Sequence, residues 1–392
     1  MKIIFILGLY YPYIGGGAEV SNKLLVEGIQ QRGIEIEVIT LGEKDKVEKI
    51  NNVIVKRMAI NKLTKKYLKQ IRGLEIKIKI LERIKRLTYK SLYLFDWKLY
   101  NKINKILEKS EGDILHISGI HFFVPLMWMI LAKKNNMKVI YTLRDPFLVY
   151  IRAKKSKNLI NLIDFIRRKI YSVFIYKYVD YIHSPSQHMI DLHLKNKFKF
   201  KNSIVIPNTV KIENQIVNFE NKDIDILYVG RLEEEKGINT LIETIEKLKL
   251  NNKSIFVGKG TLEKLSLKAK IKVTGWISKE KTYEYMKKAK VLILPSEWEE
   301  AFGRVLIEGI ANGTLVIGSD QGAIPEVLGF DKRYIFKTKS AKDLKEKIIR
   351  VLTLSQNEYK KEIMELQKYI KKYSYKDHIE KFEEFYFKVL NN

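Results

Sequence analysis

Short runs of apolar and β-branched residues alternate with segments of helical periodicity along most of this chain. The first set of runs is "KIIFILGL", "IEIEVITL", "DILHISG", "KVIYTL" and "YIHSPS". The second set is "IDILYVG", "KSIFVGKG", "IKVTGW", "KVLILPS" and "TLVIGSD". A repeated strand–helix–strand pattern requires parallel sheets with crossover helices. The chain is therefore predicted to be an α/β protein with two Rossmann-like, doubly wound domains facing a central cleft, where ligands meet the carboxyl ends of the strands.

The alternation pauses at residues 207–223, "PNTVKIENQIVNFENKD", which are polar and have no strong period. A chain of 392 residues is also too long for one ordinary core. We predict an N-terminal domain over residues 1–207, a linker over 208–222 and a C-terminal domain over 223–373. Residues 374–392 carry aromatic side chains on one side of a helical pattern, and they predict a terminal helix that packs back toward the N-terminal domain.

Basic residues are concentrated in the first half of the chain. The formal net charge is +28, of which residues 1–200 contribute +21 and residues 201–392 contribute +7. This asymmetry indicates that the N-terminal half meets a polyanion such as lipid headgroups, nucleic acid or a phosphorylated substrate. The alternative is a biased composition, rich in Lys, Ile and Asn, whose charges only solvate helices.

The composition also bears on the compartment. The chain has no cysteine, which fits a reducing environment, and we expect a cytoplasmic protein. Its start, "MKIIFILGLYYPYIGGG", lacks the small-residue cleavage site of a signal peptide and predicts a first strand. The longest apolar run, Phe122 to Ala132, is about half as long as a membrane span. The basic charge and amphipathic segments such as residues 159–178 suggest a peripheral position on an anionic inner membrane face.

The first motif with chemical content is "LYVGRLEEEKG", in which a predicted strand ends at Val229. Gly230 permits a tight turn, and Arg231 and Lys236 flank a loop that opens a helix near Ile238. Two cations at the carboxyl edge of a sheet suit a diphosphate, Arg through its planar fork and Lys as a point charge. The alternative is that Lys236 only offsets the glutamates that precede it on a solvated loop.

The second motif is "ILPSEWEEAFGRVLIEG", residues 293–309. We predict a strand over Val291–Pro295, a loop over Ser296–Phe302 and a helix over Gly303–Asn312. The helix would begin at the carboxyl edge of the sheet. Its first N–H groups have no partner within the helix, and they form an anion site near Gly303, Arg304 and Val305.

Acidic residues flank this predicted anion site. Glu308 lies roughly 7 Å further along the helix, since a helix rises ~1.5 Å per residue, and this is about the distance from a nucleotide's phosphates to its ribose. A carboxylate there could accept both ribose hydroxyls as donors. Glu300, before the helix, would meet whatever is attached beyond the phosphates. Alternatively, the acidic residues only favour a helix start, a role that Glu297 and Glu299 fit better because they look like solvent-side residues.

These motifs, with "VTGWIS", "VIPNTV" and the N-terminal "YYPYIGGGAEVSNKLLVEGIQQRGIEIEVIT", resemble those of the family 4 glycosyltransferases, the large retaining group with the GT-B fold. The resemblance runs from about residue 3 to about residue 330. It implies transfer of a sugar from a nucleotide-sugar, such as a UDP- or GDP-sugar, to a hydroxyl with retention at the anomeric carbon. It also implies that no metal or other cofactor is needed, because protein groups stabilise the departing diphosphate.

The resemblance assigns roles to individual residues. In the family's Glu-x7-Glu pair, the residue that maps onto Glu300 contacts the transferred sugar and the one that maps onto Glu308 contacts the ribose. The segment "EAFG" matches the family's "E-x-F-G" and so selects Glu300 over its neighbours. Arg231 and Lys236 map onto the phosphate-binding pair, and both are predicted to be catalytic with Glu300. The donor-binding set is then Gly230, Ile277, Phe302, Gly303, Arg304, Val305 and Glu308, with backbone near Ile277 against the nucleobase.

The N-terminal half carries a glycine-rich loop and one departure from the family pattern. The loop, Gly15, Gly16 and Gly17, is not the dinucleotide fingerprint, because Val20 stands where a third glycine belongs. The resemblance places it near the donor phosphates and the acceptor, although a glycine cluster without a ligand is the alternative. Arg144 stands where the family often has His, close to the transferred sugar. We include Arg144 among the predicted catalytic residues, where it could bind a phosphate or sugar acid, or indicate altered chemistry.

Other site classes find little support in the sequence. The histidines show no metal spacing, and "DID" (Asp223–Asp225) lies at the entry to a strand, so no metal site is predicted. No phosphate-binding Walker loop is present, since Lys253 occupies a required glycine position. Nucleic-acid binding would need the cations and exposed aromatics to share one groove, and no nucleic-acid partner is expected.

The sequence thus predicts a retaining glycosyltransferase whose basic N-terminal domain holds a glycan or lipid-linked acceptor. Three alternatives stay open. Two are other GT-B activities, a sugar-nucleotide epimerase and a phosphorylase, the latter without a motif for a pyridoxal phosphate lysine. The third is a catalytically inactive relative that only binds sugar nucleotides. It stays open because Arg144 stands where the family often has His.

Overall fold

The computed structural model describes residues 1–13, 16–59, 97–119, 125–149, 158–211 and 222–392. The chain divides into two compact units. The first comprises Met1–Pro185, Ile190–Ile206 and Ile379–Asn392, and the second comprises Ser186–Met189 and Pro207–His378. Most of the predicted linker, residues 212–221, lies outside the described residues.

The described part of the first unit contains an eight-stranded sheet. Its strands are β1 (Lys2–Leu7), β2 (Glu35–Leu41), β3 (Lys46–Ile50), β4 (Val53–Met58), β5 (Ile114–Ser118), β6 (Lys138–Thr142), β7 (Tyr181–Ser184) and β8 (Ser203–Val205). They lie in the order β3-β4-β2-β1-β5-β6-β7-β8. Only the pairing of β3 with β4 is antiparallel among these neighbours. The doubly wound prediction is confirmed for this unit.

Four described helices of the first unit are α1 (Gly17–Gln31), α2 (Trp97–Ser110), α3 (Pro125–Lys134) and α4 (Asn158–Tyr178). Helix α5 (Gln187–Lys195) has its first turn in the second unit and its remainder in the first. Within the described residues, no helix is long and apolar enough to cross a bilayer.

The hairpin of β3 and β4 is a feature that the alternating pattern did not predict. Strand β3, "KVEKI", is polar and largely exposed because it lies at the edge of the sheet. Its two-residue turn consists of Asn51 and Asn52, with φ angles of 48° and 65°. Both values are positive, as a type I′ hairpin turn requires, and Asn tolerates this conformation better than most residues. The Asn-Asn pair in the sequence therefore indicates a two-residue hairpin turn between β3 and β4.

The second unit contains a six-stranded parallel sheet in the order β11-β10-β9-β12-β13-β14. The strands are β9 (Ile224–Val229), β10 (Ser254–Val257), β11 (Lys272–Val273), β12 (Ala289–Leu294), β13 (Leu315–Ser319) and β14 (Ile335–Phe336). Its helices are α6 (Ile238–Leu248), α7 (Glu263–Lys268), α8 (Lys279–Lys288), α9 (Arg304–Ala311), α10 (Ile324–Val327), α11 (Ala341–Leu352) and α12 (Gln356–Ile370). All five apolar runs of the second set form strands, as predicted.

The central strands of the second unit are buried on both faces. Ile226 in β9, Leu292 in β12 and Ile317 in β13 are all fully buried. Such continuous burial explains why these strands read as unbroken apolar runs rather than as alternating ones. The last helix, α13 (Tyr375–Asn391), starts in the second unit and continues in the first, to which Ile379–Asn392 belong.

Candidate functional site

The loop between β12 and α9 has the predicted form. Strand β12 ends at Leu294 and helix α9 begins at Arg304, directly after Gly303. Gly303 adopts a left-handed conformation, with φ of 81°, and caps the helix. Glycine suits this position because L side chains are strained at such angles. The strand, loop and helix predicted around residues 291–312 are thus confirmed, and the first N–H groups of α9 follow the carboxyl end of β12.

Glu300 lies in this loop and is paired with Lys236. The Lys236 ammonium nitrogen lies 2.5 Å from Glu300 Oε1, and the Ser296 hydroxyl donates to the same oxygen over 2.8 Å. Both side chains of the pair are only 16% exposed. Burial opposes ionisation, but Lys236, Ser296 and the nearby charge of Arg231 outweigh it and hold the pKa of Glu300 below its ordinary value. The carboxylate is therefore ionised at neutral pH.

The loop after β9, which carries Lys236, lies in close contact with the loop after β12, which carries Glu300. The backbone N–H of Glu297 donates to the Glu235 carbonyl over 2.9 Å. Gly237 has a φ of 70°, and a Cβ there would come 1.8 Å from the Pro295 carbonyl oxygen. Only glycine allows that approach. The glycine after Lys236 therefore sets how close the loop after β9 comes to the loop after β12.

A third loop, which follows β13, supports Glu300 from the other side. Gly322 has a φ of 63°, and a Cβ there would lie 2.3 Å from the backbone nitrogen of Glu300. The next residue, Ala323, donates its N–H to the Glu300 carbonyl over 2.8 Å. No role for this loop was predicted from the sequence. The loop fixes the backbone of Glu300 while Lys236 and Ser296 fix its carboxylate.

Arg231 stands further out than Lys236. Its side chain is 53% exposed and lies 3.5 Å from Glu235. The Tyr228 hydroxyl donates to the Arg231 carbonyl over 2.6 Å and so holds the backbone of the turn. The preceding Gly230 has a φ of 157°, close to extended backbone, and a Cβ there would meet the Tyr228 hydroxyl oxygen at 2.7 Å. The motif "GRLEEEK" thus offers one half-buried and one exposed cation beside Glu300.

Glu308 has partners on its own helix and on the helix before it. Arg304 Nε lies 3.0 Å from Glu308 Oε1, with side chains 8% and 16% exposed. Tyr283 in α8 is hydrogen-bonded to Glu308, and burial together with the charge of Glu308 raises the pKa of Tyr283 above its usual value. The Arg304 side chain therefore faces Glu308, and these contacts orient the carboxylate.

Three other residues predicted for the donor site have side chains that are wholly or partly buried. Phe302 is 4% exposed, and its ring meets Tyr373 edge-to-face with centroids 5.4 Å apart. Val305 and Ile277 are partly buried against the core of the second unit. Phe302 therefore has little side-chain surface to offer a ligand, whereas Val305 and Ile277 keep part of theirs exposed.

Two neighbouring glutamates differ from the solvent-side role expected for them. Glu299 is 25% exposed, and its carboxylate lies 2.7 Å from His188 Nε2 and accepts from Gln321 Nε2 over 3.2 Å. Glu297 is 19% exposed and lies 3.5 Å from Lys339 Nζ. That expectation is therefore wrong for both, because the loop folds back on residues distant in the sequence.

Asp225 of "DID" is buried and paired with Lys290 at 2.8 Å. Among the described residues, no three His, Cys, Asp or Glu side chains are grouped so as to hold a metal ion.

In the first unit, Arg144 follows β6 and is held by two polar side chains. Its Nε donates to the Ser118 hydroxyl over 3.0 Å, and its Nη2 donates to Asn22 Oδ1 over 2.8 Å. Ser118 also donates to Asn22 Oδ1 over 2.9 Å. The guanidinium is thereby fixed between the end of β5 and helix α1. Gly17 begins α1 and Gly16 precedes it, whereas Gly15 lies outside the described residues.

A buried hydrogen-bond relay lies beside Arg144. His183 Nε2 contacts the Ile206 carbonyl at 3.0 Å, so this nitrogen must carry a proton and Nδ1 must accept. Thr142 therefore donates to His183 Nδ1 over 2.9 Å and accepts from His116 Nε2 over 2.6 Å. His116 Nδ1 then accepts from the Tyr386 hydroxyl over 2.8 Å. Burial and the charge of Arg144 lower the pKa of His116 to about 3, so His116 is neutral.

Comparison with known proteins decides the family. Residues 15–214, just over half of the chain, match the family model described as Glycosyltransferase Family 4. Residues 210–377 match the model described as Glycosyl transferases group 1. The chain belongs to glycosyltransferase family 4.

The glycosyltransferase has relatives along most of its length. It is 27% identical over 340 residues to an uncharacterised 42.6 kDa protein in the cps region of Klebsiella pneumoniae, covering 83% of this chain and 87% of that protein. It is 21% identical over 338 residues to the N-acetyl-α-D-glucosaminyl L-malate synthase of Bacillus anthracis, covering 81% and 79%.

Solved structures establish the fold of the glycosyltransferase. Sucrose-phosphate synthase from Thermosynechococcus elongatus is similar with a TM-score of 0.76 and 16% identity, over 100% of this chain and 99% of that one. Anabaena HepE in complex with UDP and glucose is similar with a TM-score of 0.69 and 14% identity, over 98% and 99%. The predicted GT-B fold is confirmed.

Proposed function

We propose that this glycosyltransferase moves a sugar from a nucleotide-sugar donor to a hydroxyl of a glycan or lipid-linked acceptor, with retention at the anomeric carbon. The observation that carries the proposal is the buried Lys236–Glu300 pair beside the start of α9. Similar folds crystallised with UDP or UDP-glucose support a nucleotide-sugar as the donor. The family resemblance supports retention.

The second unit supplies the groups that a departing diphosphate needs. Negative charge grows on the phosphate as the bond to the sugar breaks, and preorganised cations and N–H groups stabilise it. Lys236 has three N–H donors, so it can keep Glu300 and still bind a phosphate oxygen. Arg231 is exposed and can reach a second phosphate oxygen. The N–H groups that start α9 add a third set of donors.

Glu300 fits a role in orienting the transferred sugar. Because its pKa is held below the ordinary value, it is an acceptor of hydrogen bonds at neutral pH and has no proton to donate. It can therefore bind sugar hydroxyls and favour positive charge on the ring. In the step that we propose, the acceptor oxygen bonds to the anomeric carbon as the bond to the phosphate breaks. The departing phosphate oxygen takes the acceptor's proton.

Arg144 supports an acceptor that carries an anionic group. Ser118 and Asn22 accept hydrogen bonds from its guanidinium and so hold it in place beside the end of β5. A fixed guanidinium is suited to a carboxylate or phosphate. The Bacillus anthracis relative is named for transfer to L-malate, a dicarboxylate. We therefore propose that a carboxylate or phosphate lies near the reactive hydroxyl.

A thermal-shift screen against UDP-, GDP-, ADP- and dTDP-sugars tests the donor. A ligand present at 100 times its dissociation constant stabilises the folded state by ~2.7 kcal/mol, and we expect one base to shift the melting temperature. Slow hydrolysis of that donor then provides a turnover assay that needs no acceptor. If no nucleotide-sugar shifts the wild type, the proposal fails.

Substitutions at Glu308 and Glu300 test whether one binds the nucleotide and the other the transferred sugar. Glu308→Gln should weaken binding of the free nucleoside diphosphate by about ten-fold, because a charge-assisted bond to the ribose is lost. Glu300→Gln should lower turnover by 100-fold or more, on the order of one lost transition-state contact, while nucleotide binding survives. Glu297→Gln, in the same loop, is the matched control and should change neither. Equal loss of nucleotide binding in all three would contradict the assignment.

A further inference from the structure

Helix α4 (Asn158–Tyr178) presents an apolar face to solvent in the first unit. Five of its large side chains are between 39% and 63% exposed, namely Phe165, Ile166, Ile170, Val173 and Tyr176. At about 100° per residue they fall within one arc of about 140°, and between residues 165 and 178 this arc also includes Lys169 and Lys177. We call these seven residues the α4 face. The solvent side of an ordinary surface helix is polar, so this helix departs from the usual pattern.

A basic loop is attached to the flank of this helix. Residues 195–201, "KNKFKFK", follow helix α5 and have four lysines that are exposed, at positions 195, 197, 199 and 201. Ser172 donates to the Lys197 carbonyl over 3.3 Å, and Lys201 Nζ donates to the Lys177 carbonyl over 3.1 Å. Arg168 also donates to Asn196 Oδ1 over 3.2 Å. These three bonds hold the lysines beside the α4 face.

Acidic residues are rare in this region. Residues 165–201 contain eight Lys and Arg against two acidic residues, Asp180 and Asp191. Asp180 is ion-paired with Lys133, which cancels its charge locally. No Asp or Glu occurs between residues 165 and 179. The surface therefore combines exposed apolar side chains with a positive border.

We infer that the α4 face and the 195–201 loop together dock on the surface of an anionic lipid bilayer. An interfacial helix inserts its apolar side chains at the headgroup boundary, and cations at its border bind the anionic headgroups. Lysine stems can lie along the apolar layer while their ammonium groups reach the headgroups. Two copies of this chain would instead bring two positive loops together, which disfavours self-association through this face. The inference deepens the proposed function and rests on it for the lipid-linked acceptor that such a surface would supply.

Co-sedimentation of the full chain with unilamellar vesicles tests the surface. Vesicles of phosphatidylcholine with 40% phosphatidylglycerol should bind the protein at 50 mM salt, and pure phosphatidylcholine vesicles should bind it far more weakly. Salt at 500 mM should reduce binding to the anionic vesicles, because screening weakens the contribution of the lysines.

Two variants address the two parts of the surface. Val173→Glu should weaken binding by about ten-fold or more, since it removes an inserted side chain and adds a negative charge. The pair Lys197→Gln and Lys199→Gln should weaken binding by about 25-fold, at about five-fold per lysine. All three side chains are exposed, so folding should be unaffected.

Matched controls lie on helix α12 of the second unit. Met364 is 66% exposed, close to the 63% of Val173, so Met364→Glu is the control for the apolar change. Lys360→Gln with Lys361→Gln is the control for charge, because both lysines are exposed on that helix. Neither control should change vesicle binding by more than about two-fold.

The outcomes separate this inference from the proposed function. Absence of binding to anionic vesicles at low salt would overturn the inference. So would equal losses in the α12 controls, or α4 variants that bind normally. A change in the sedimentation of the protein without vesicles would identify the face as a contact between copies, which also overturns it. Each variant is measured in the nucleotide-sugar thermal shift as well. A normal shift with no vesicle binding rejects the inference alone, whereas vesicle binding with no shift rejects only the donor proposal.

Discussion

Replacing Lys236 with Met tests whether the Lys236–Glu300 pair holds the loop after β12. Methionine keeps much of the stem volume but removes the charge that lies 2.5 Å from the Glu300 carboxylate. The carboxylate is only 16% exposed in the wild type, and in the variant it would keep Ser296 as a partner on Oε1. A buried charge that loses its counterion is costly, about 3–5 kcal/mol when burial is complete.

The cost of protonating Glu300 sets an upper limit on the stability that Lys236→Met can lose through the unpaired charge. The variant can escape the unpaired charge by protonating Glu300, and at pH 7 this costs about 3.7 kcal/mol for a carboxyl with an ordinary pKa of about 4.3. Since Glu300 is also slightly exposed, we expect a loss of about 2–3 kcal/mol in the free energy of unfolding. For a domain of this size, that corresponds to about 4–12 °C in melting temperature.

The pH dependence gives an independent check. The folded pKa of Glu300 is lowered, so its contribution to stability is present above the unfolded pKa and is lost as the pH falls through the folded pKa. The difference in stability between wild type and Lys236→Met should therefore be largest near neutral pH. It should narrow as the pH falls, because the unpaired carboxyl protonates in the variant at a higher pH than in the wild type.

The assay is urea unfolding followed by circular dichroism, with two reference variants. Lys247→Met removes an ion pair of similar length, 2.6 Å, whose side chains are 56% and 55% exposed, and it should cost about 0.5 kcal/mol or less. The double variant Lys236→Met with Glu300→Gln should recover at least half of the loss, because a neutral amide needs no counterion. If Lys236→Met is as mild as Lys247→Met, or if Glu300→Gln restores nothing, the burial argument for this pair is refuted.

Two further changes have definite expected outcomes. Gly322→Ala should lower the free energy of unfolding of the second unit by more than 2 kcal/mol and reduce donor hydrolysis, because the new Cβ would meet the Glu300 nitrogen at 2.3 Å. Gly33→Ala is the control, because Gly33 also has a positive φ but its Cβ would meet nothing within 4 Å. In urea unfolding this control should cost about 1 kcal/mol. Lys222 is buried, and burial lowers its pKa to about 7, so the unfolded chain binds more protons between pH 7 and 10.5 and stability should rise with pH in that window. From pH 7 to 9 the wild type should gain about 2 kcal/mol relative to Lys222→Met, and parallel pH profiles of the two proteins would contradict this.

Local signals were enough for much of the fold and for the backbone of the donor site. The apolar runs predicted the central strands, because a strand buried on both faces needs apolar residues throughout. The loop and helix around Gly303 were also predictable, since a glycine between an apolar run and a helical period indicates a turn. The positions of Glu300 and Glu308 relative to that helix start follow from helix geometry alone.

The partners of these side chains were not predictable, because they come from distant parts of the sequence. Gly322 supports Glu300 from the loop after the adjacent strand β13, and only the strand order brings the two loops together. His188 reaches Glu299 across 111 positions of sequence, which no periodicity can indicate. The polar strand β3 was missed for a different reason, since an exposed edge strand does not need an apolar run.

The buried relay beside Arg144 bears on which group accepts the proton of the attacking hydroxyl. His116 and His183 are at most 1% exposed, and both ring nitrogens of each are engaged in the relay from Tyr386 to the Ile206 carbonyl. Burial disfavours the charged form of His116, and the nearby positive charge of Arg144 adds to this effect, so the pKa of His116 is lowered to about 3. A base with that pKa takes almost no proton at neutral pH. Glu300 is also a weak base, because Lys236, Ser296 and Arg231 hold its pKa below the ordinary value despite its burial. In the function that we propose, His116 and Glu300 are thus poorly suited to deprotonating an acceptor, whereas a phosphate that gains negative charge as it leaves becomes a stronger base during the reaction. The directions of these two pKa shifts are therefore compatible with the proposal that the leaving diphosphate takes the acceptor's proton.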